Sequence, residues 1–141
     1  MIILDTNVLS ESIRPMPDKQ VVAWMAAQPA SSLFTTTVVE AELLYGVGLL
    51  ADGARKEALA SAVKAIFEVD LAGRVISFDS DCAKAFAEIA VSRKISGQPI
   101  SQFDAMIAAV TRSRGATLAT RNQRDFADSG VEIINPWSWD K

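Results

Sequence analysis

Asp5, Glu42, Asp104 and the pair Asn122 and Asp125 are the side chains of this sequence whose types and surroundings could carry out chemistry. The chain has no histidine and a single cysteine, Cys82. That removes the commonest general base and the commonest zinc ligand, and it leaves no internal disulfide or multi-cysteine metal site. Catalysis then rests on carboxylates. Carboxylate oxygens without imidazole or thiolate suit hard cations, Mg2+ or Mn2+.

Each candidate has a structural reading beside the chemical one. Asp5 ends the apolar run Ile2-Ile3-Leu4 and stands before Thr6-Asn7, so it sits at the tip of a strand or simply helps to cap the helix that follows. Glu40 and Glu42 share one helix but point roughly 200° apart, so they cannot share a task. Thr37 and Glu40 have capping-box spacing, which accounts for Glu40. Glu42 lies among Val38, Val39, Leu43 and Leu44, where a carboxylate is costly unless paired or metal-bound, or else it rides a solvated helix edge. Asp104 lies three residues after Ser101, a capping pattern compatible with pointing into the same crevice as Asp5. Asn122 and Asp125 follow another polar strand end, Thr120-Arg121.

The elements that must position these groups are legible as an alternation of strands and helices. Ile2 to Leu4 reads as a strand covered on both faces, because polar residues do not alternate with the apolar ones. Arg14-Pro15-Met16-Pro17 ends a short helix running from Val8 to Ile13. Asp18 caps a second helix, closed by Gln28-Pro29, and Leu33-Phe34-Thr35 is the next strand. Asp52-Gly53 separates the Glu42 helix from another over Ala54 to Val69, whose stripe of Leu59, Val63, Ile66 and Phe67 serves the core or an interface. Arg74 to Phe78 reads as a strand, Cys82 to Lys94 as a helix ending near Gly97, Pro99 to Val110 as the opening of a helix that ends at Gly115, and Ala116 to Thr120 and Val131 to Ile134 as the last strands. In an open parallel sheet, ligands bind beyond the carboxyl ends of the strands. Asp5 and the 120–125 segment are expected there.

The 141 residues, half of them hydrophobic and 22% charged, make one domain large enough to bury a core. Apolar stretches are broken well before the roughly 18 residues of a membrane span. The N-terminus lacks the order of a signal peptide, so a cytoplasmic location without membrane contact is expected. The net charge of −3 and a pI near 4.9 argue against tight sequence-independent nucleic-acid binding. Locally the balance reverses: between Val91 and Arg124 stand Arg93, Lys94, Arg112, Arg114, Arg121 and Arg124, against Asp104 alone. That cluster is a solvated face or a source of phosphate contacts.

The ordered set Leu4-Asp5-Thr6-Asn7, Ala41-Glu42-Leu43 with Tyr45-Gly46, Asp104-Ala105-Met106-Ile107-Ala108, and Thr120-Arg121-Asn122 with Asp125-Phe126 resembles the PIN domain. Within it, the pattern is most similar to the VapC toxins of bacterial toxin and antitoxin pairs, in their FitB-like plasmid-stability branch. The likeness runs from Met1 to Asn135-Pro136-Trp137. It implies an α/β fold, a three-layer α/β/α sandwich around a central parallel sheet, as a single domain over residues 1–141. It also implies a homodimer, Mg2+- or Mn2+-dependent cleavage of RNA, and inhibition by a cognate VapB-type antitoxin in a heterotetramer or larger assembly.

Carried onto this chain, the family's acidic trio falls on Asp5, Glu42 and Asp104. Asp5 and Asp104 are then direct metal ligands. Glu42, with the group at Asn122 or Asp125, holds a second ion or orients water. Many relatives carry aspartate after the Thr-Arg pair where this chain has Asn122, so either three carboxylates suffice or Asp125 supplies the fourth. Thr6, Arg121 and Arg124 are expected to contact substrate. The departure at Asn122 also leaves a second reading open, a weakly catalytic module acting mainly as the partner of a DNA-binding antitoxin or regulator.

Overall fold

A computed structural model describes residues 1–140. Strands β1 (Ile2–Leu4), β2 (Leu33–Thr36), β3 (Val75–Ile76), β4 (Thr117–Ala119) and β5 (Glu132–Ile134) form one sheet in the order β3-β2-β1-β4-β5. All four pairings are parallel, with Ile3 beside both Phe34 and Leu118. Ile3, Leu4, Leu118 and Ala119 are fully buried as consecutive pairs, which requires cover on both faces of the sheet. Helices α1 (Thr6–Ser12), α2 (Lys19–Ala27), α3 (Thr37–Gly48), α4 (Ala54–Ala65), α5 (Ser80–Ile95) and α6 (Gln102–Ser113) supply it. This is the three-layer α/β arrangement expected from the sequence.

Several boundaries move for identifiable reasons. The cap of α3 is Thr36, whose hydroxyl accepts from Val38 N, so the expected capping box on Thr37 and Glu40 does not form. Thr37 instead accepts from Phe78 N at 3.3 Å and ties the end of the β3 segment to α3. The strand expected over Arg74 to Phe78 is ladder-paired only at Val75 and Ile76, because β3 is an edge strand with β2 on one side only. The helix expected over Ala54 to Val69 widens into a π turn at Ile66–Asp70, closed by Leu71 N donating to Ile66 O at 2.8 Å. Its stripe is spent internally, since Val63, Ile66 and Phe67 are buried in the core. Exposed apolar side chains lie instead on and just beyond α3, at Leu44, Tyr45 and Leu49.

The sheet order places the switch in strand order between β1 and β4, with every strand still pointing the same way. From β1 the chain steps outward through β2 to β3, then returns to the other side of β1. Such a switch opens a crevice at the carboxyl ends of the two central strands. The residues that follow β1 and β4 are Asp5 and Thr120.

Candidate active site

Asp5 is 4% exposed and caps α1, its Oδ1 accepting from Thr6 N at 2.8 Å. Its Oδ2 accepts from the Thr120 hydroxyl at 2.7 Å and from Asn7 Nδ2 at 3.2 Å. Both readings of Asp5 therefore hold, as cap and as strand-end acid. The Thr120 oxygen also accepts from Asn7 Nδ2 and from Asn122 N, and Asn7 Oδ1 accepts from Arg121 N. Thr120 and Asn7 thus lock the two strand ends together, a role that the sequence analysis did not assign to them. Burial raises the Asp5 carboxyl to about 6 against the bonds from Thr120 and Thr6, and the nearby charges of Asp104 and Glu42 push the same way.

Glu42 projects from α3 toward α1, where its Oε1 accepts from the Thr6 hydroxyl at 2.8 Å. Half-buried, it too is raised from its ordinary value, by desolvation first and by Asp104 after the opposing Thr6 bond. Asp104 sits in the first turn of α6, where Ser101 caps by accepting from Asp104 N. Its carboxyl is also raised, chiefly by burial, with Asp125 adding to the rise while Ser101 and Arg93 oppose it. Asp5, Glu42 and Asp104 line one cavity of about 490 Å³, together with Thr6, Asn7, Arg121 and Asn122. Ser10, Glu11, Arg14 and Trp137 complete its wall. These four were missed, although Arg14 beside two prolines, and a tryptophan near the chain's end, were visible as a polar loop and an aromatic tail.

The two candidates for a fourth position separate. Residues Gln123–Phe126 make one 3-10 turn, with Asp125 N donating to Asn122 O at 3.1 Å, but Asn122 is its cap and lies outside the turn. Three-residue spacing therefore does not align the two side chains. Asn122 faces the main cavity, whereas Asp125 faces a smaller one of about 180 Å³ with Arg93 and Ser101. Asp104 borders both.

The basic cluster dissolves on inspection of its partners. Arg93 is buried and donates to the carbonyls of Gln98, Asp125 and Ala127 at 2.6, 3.0 and 2.6 Å. Arg112 pairs with Glu88 and Arg114 with Asp79. Arg124 is exposed and is not part of the main cavity wall. Of the expected phosphate contacts, only Arg121 lines the carboxylate cavity, its guanidinium 5.2 Å from the centre of the Trp137 ring.

Residues 2–131 match the PIN domain. The chain belongs to the PIN-domain family. It is 39% identical over 137 residues to the plasmid stability protein StbB of Pseudomonas syringae pv. tomato, covering 97% of this chain and 99% of that one. It is 37% identical to the VapC ribonuclease Y4jK of Sinorhizobium fredii, covering 97% and 98%. Among solved structures it is similar to FitAB bound to an IR36 DNA fragment, with a TM-score of 0.91 at 35% identity over 100% of this chain and 99% of that one. No helix among the described residues is long and apolar enough to cross a membrane.

Proposed function

We propose that this PIN-domain chain is an endoribonuclease, the toxin of a type II toxin-antitoxin pair, which hydrolyses RNA phosphodiester bonds with the help of Mg2+ or Mn2+. The observation that carries the reading is the convergence of Asp5, Glu42 and Asp104 on one cavity at the β1/β4 crevice, each with its proton affinity raised. Likeness to a named VapC ribonuclease supports the reaction class. Buried acids that repel one another are stabilised by a cation between them, which suits such a site to a divalent ion.

The donor set fits that ion. Oxygen ligands alone favour magnesium or manganese, and Asp5, Asp104 and Glu42 are the residues that would hold it. Among the described residues no three acidic side chains form a ready-made cage. Magnesium does not need one, since it usually keeps several waters and takes one or two carboxylates with substrate phosphate. When bound, the ion supplies an acidified water and offsets charge on the phosphate.

The protein's own groups do the rest. Thr120 and Asn7 fix the Asp5 carboxylate so that it cannot rotate away from the cavity. Thr6 holds the Glu42 carboxylate on the opposite wall, where it can accept a proton from an attacking water. Arg121 lines the same cavity and supplies a cation that favours binding of the RNA backbone.

The partners follow from the same reading: RNA as substrate, and a VapB-type antitoxin in a heterotetramer or larger complex built on a homodimer of this chain. Likeness to FitAB bound to DNA favours such an assembly. It also favours the second reading, a weakly catalytic module serving a DNA-binding partner, as does the uncharged Asn122 in the cavity wall. Purified chain incubated with mixed RNA and magnesium, with and without EDTA, separates the two. Cleavage that EDTA abolishes is expected; intact RNA under both conditions leaves the non-catalytic reading.

A further inference from the structure

Three smaller cavities adjoin the carboxylate cavity, and their chemistry differs. One, bordered by Leu43, Val47 and Leu50, is mostly apolar, although Arg14 and Glu42 also reach it. A second, shared through Asp104, adds another acid, Asp125, and its arginine is already committed to three carbonyls. The third, of about 230 Å³, is reached past Arg14, Arg121 and Trp137, which line it and the main cavity alike. A polyanion leaving the carboxylates is repelled by the second cavity and poorly solvated in the first. The third offers it two cations.

The two acids of that outer cavity, Glu11 and Asp18, are both engaged, Glu11 with Arg14 itself, and Arg121 is the arginine they leave without an acid. Glu11 is buried, with Oε1 taken by Arg14 at 3.2 Å and Oε2 by Asp18 N at 3.0 Å. Asp18 Oδ1 caps α2 through Gln20 N and Val21 N. Arg14, with its side chain 64% exposed, is thus tethered at one nitrogen with further N–H donors left over. Arg121 has no carboxylate partner among the described residues and is held by the face of Trp137.

We propose that Arg14 and Arg121 bracket the RNA phosphate next to the scissile one, and that Trp137 is a positioning residue that fixes Arg121 at that subsite. The proposal rests on the ribonuclease reading for its substrate, yet it specifies which way the RNA leaves the cavity. Neither arginine touches the reacting atoms; both act on binding. Trp137 acts through Arg121, so losing either should have the same effect as losing both.

The test uses the full chain and a short, dye-labelled single-stranded oligoribonucleotide, with binding followed by anisotropy in EDTA across a salt series and cleavage followed separately in magnesium. Arg14→Gln and Arg121→Gln should each weaken binding about tenfold and reduce the slope of log Kd against log salt by about 0.7. Trp137→Leu should match Arg121→Gln, and the double variant should be no weaker than either single one. In cleavage, the loss should appear in KM, with kcat held within about threefold. Arg14→Lys should restore most of the salt slope, which guards against a folding artefact, and thermal melts check each variant. Binding and slope unchanged in Arg14→Gln would overturn the subsite, and additive losses in the double variant would overturn the positioning role of Trp137. Wild-type chain that binds RNA with the arginine-dependent slope but never cuts it defeats the ribonuclease reading while upholding the subsite. Wild-type chain that cuts, with variants binding as well as it does, defeats the subsite alone. Chain that neither binds nor cuts defeats both.

Discussion

Thr6 and Glu42, 36 residues apart, are joined by a 2.8 Å hydrogen bond in which the threonine hydroxyl holds the glutamate across the carboxylate cavity. The residue that follows Asp5 in the chain thus orients the second acid of the site, so α1 positions two carboxylates at once. Thr6→Val removes the bond at nearly constant volume. It should lower the cleavage rate about tenfold, while Thr6→Ser keeps most of it, as measured by initial rates on one RNA at saturating magnesium. Equal rates in all three proteins would show that Glu42 needs no such support.

Asp5 makes the stability of the chain depend on pH in an unusual direction. Its carboxyl titrates at about 6 in the fold against 3.8 ordinarily, so between those values the folded chain keeps a proton that the unfolded chain has lost. Its contribution is therefore intact below pH 3.8 and is lost as pH rises to about 6, by roughly 3 kcal/mol. In EDTA at pH 7.5, Asp5→Asn should melt at or above the wild-type temperature and lose that advantage near pH 4. Cleavage should be abolished. A variant that melts well below wild type at pH 7.5 contradicts the electrostatic account.

Magnesium and protons compete for the same oxygens. Added magnesium should raise the wild-type melting temperature at pH 7.5 and do so much less at pH 5, where Asp5 is largely protonated. Scanning calorimetry at the two pH values measures this directly. The ion should leave Asp5→Asn nearly unaffected.

Asn122 and Asp125 divide the fourth position between them in a way that rates can read. Asp125 borders Asp104 but not the main cavity, so Asp125→Asn acts only by relieving repulsion on Asp104 and should change the rate by less than about threefold. Asn122→Asp places a fourth carboxylate in the main cavity and should lower the magnesium concentration needed for half-maximal rate. A loss of orders of magnitude in Asp125→Asn would instead make Asp125 the working acid.

Arg93 donates three bonds to carbonyl oxygens, which pin the 123–127 turn to the α5–α6 connection. Arg93→Met leaves those three carbonyls without their charged donor and should cost about 3 kcal/mol in urea unfolding. A smaller loss would mean that water replaces the guanidinium.

The sheet and the acid positions were legible because strand ends in a parallel fold are marked twice, by an apolar run and by the polar residue that stops it. Leu4-Asp5 and Ala119-Thr120 carry both marks. What stayed hidden is set by partners far away in sequence. Nothing local shows that Thr120 bonds Asp5 over 115 residues, or that Arg93 turns inward while Arg121 faces the cavity. The basic run was counted correctly as charge but only partly as available charge, because Glu88, Asp79 and three carbonyls engage Arg112, Arg114 and Arg93. The Thr37 cap failed by one residue because Thr36 is equally able to cap and lies at the strand's end.

The central strand is made well before one of its two neighbours, β4. At about 5–20 residues per second, the 115 residues between Asp5 and Thr120 separate their synthesis by roughly 6 to 23 seconds. Until then Asp5 lacks the hydroxyl that fixes it, and the crevice between β1 and β4 has only one wall. A nascent chain built in this order carries Asp5 and Glu42 without the pocket that would make them act together, and the site is finished only once β4 has followed.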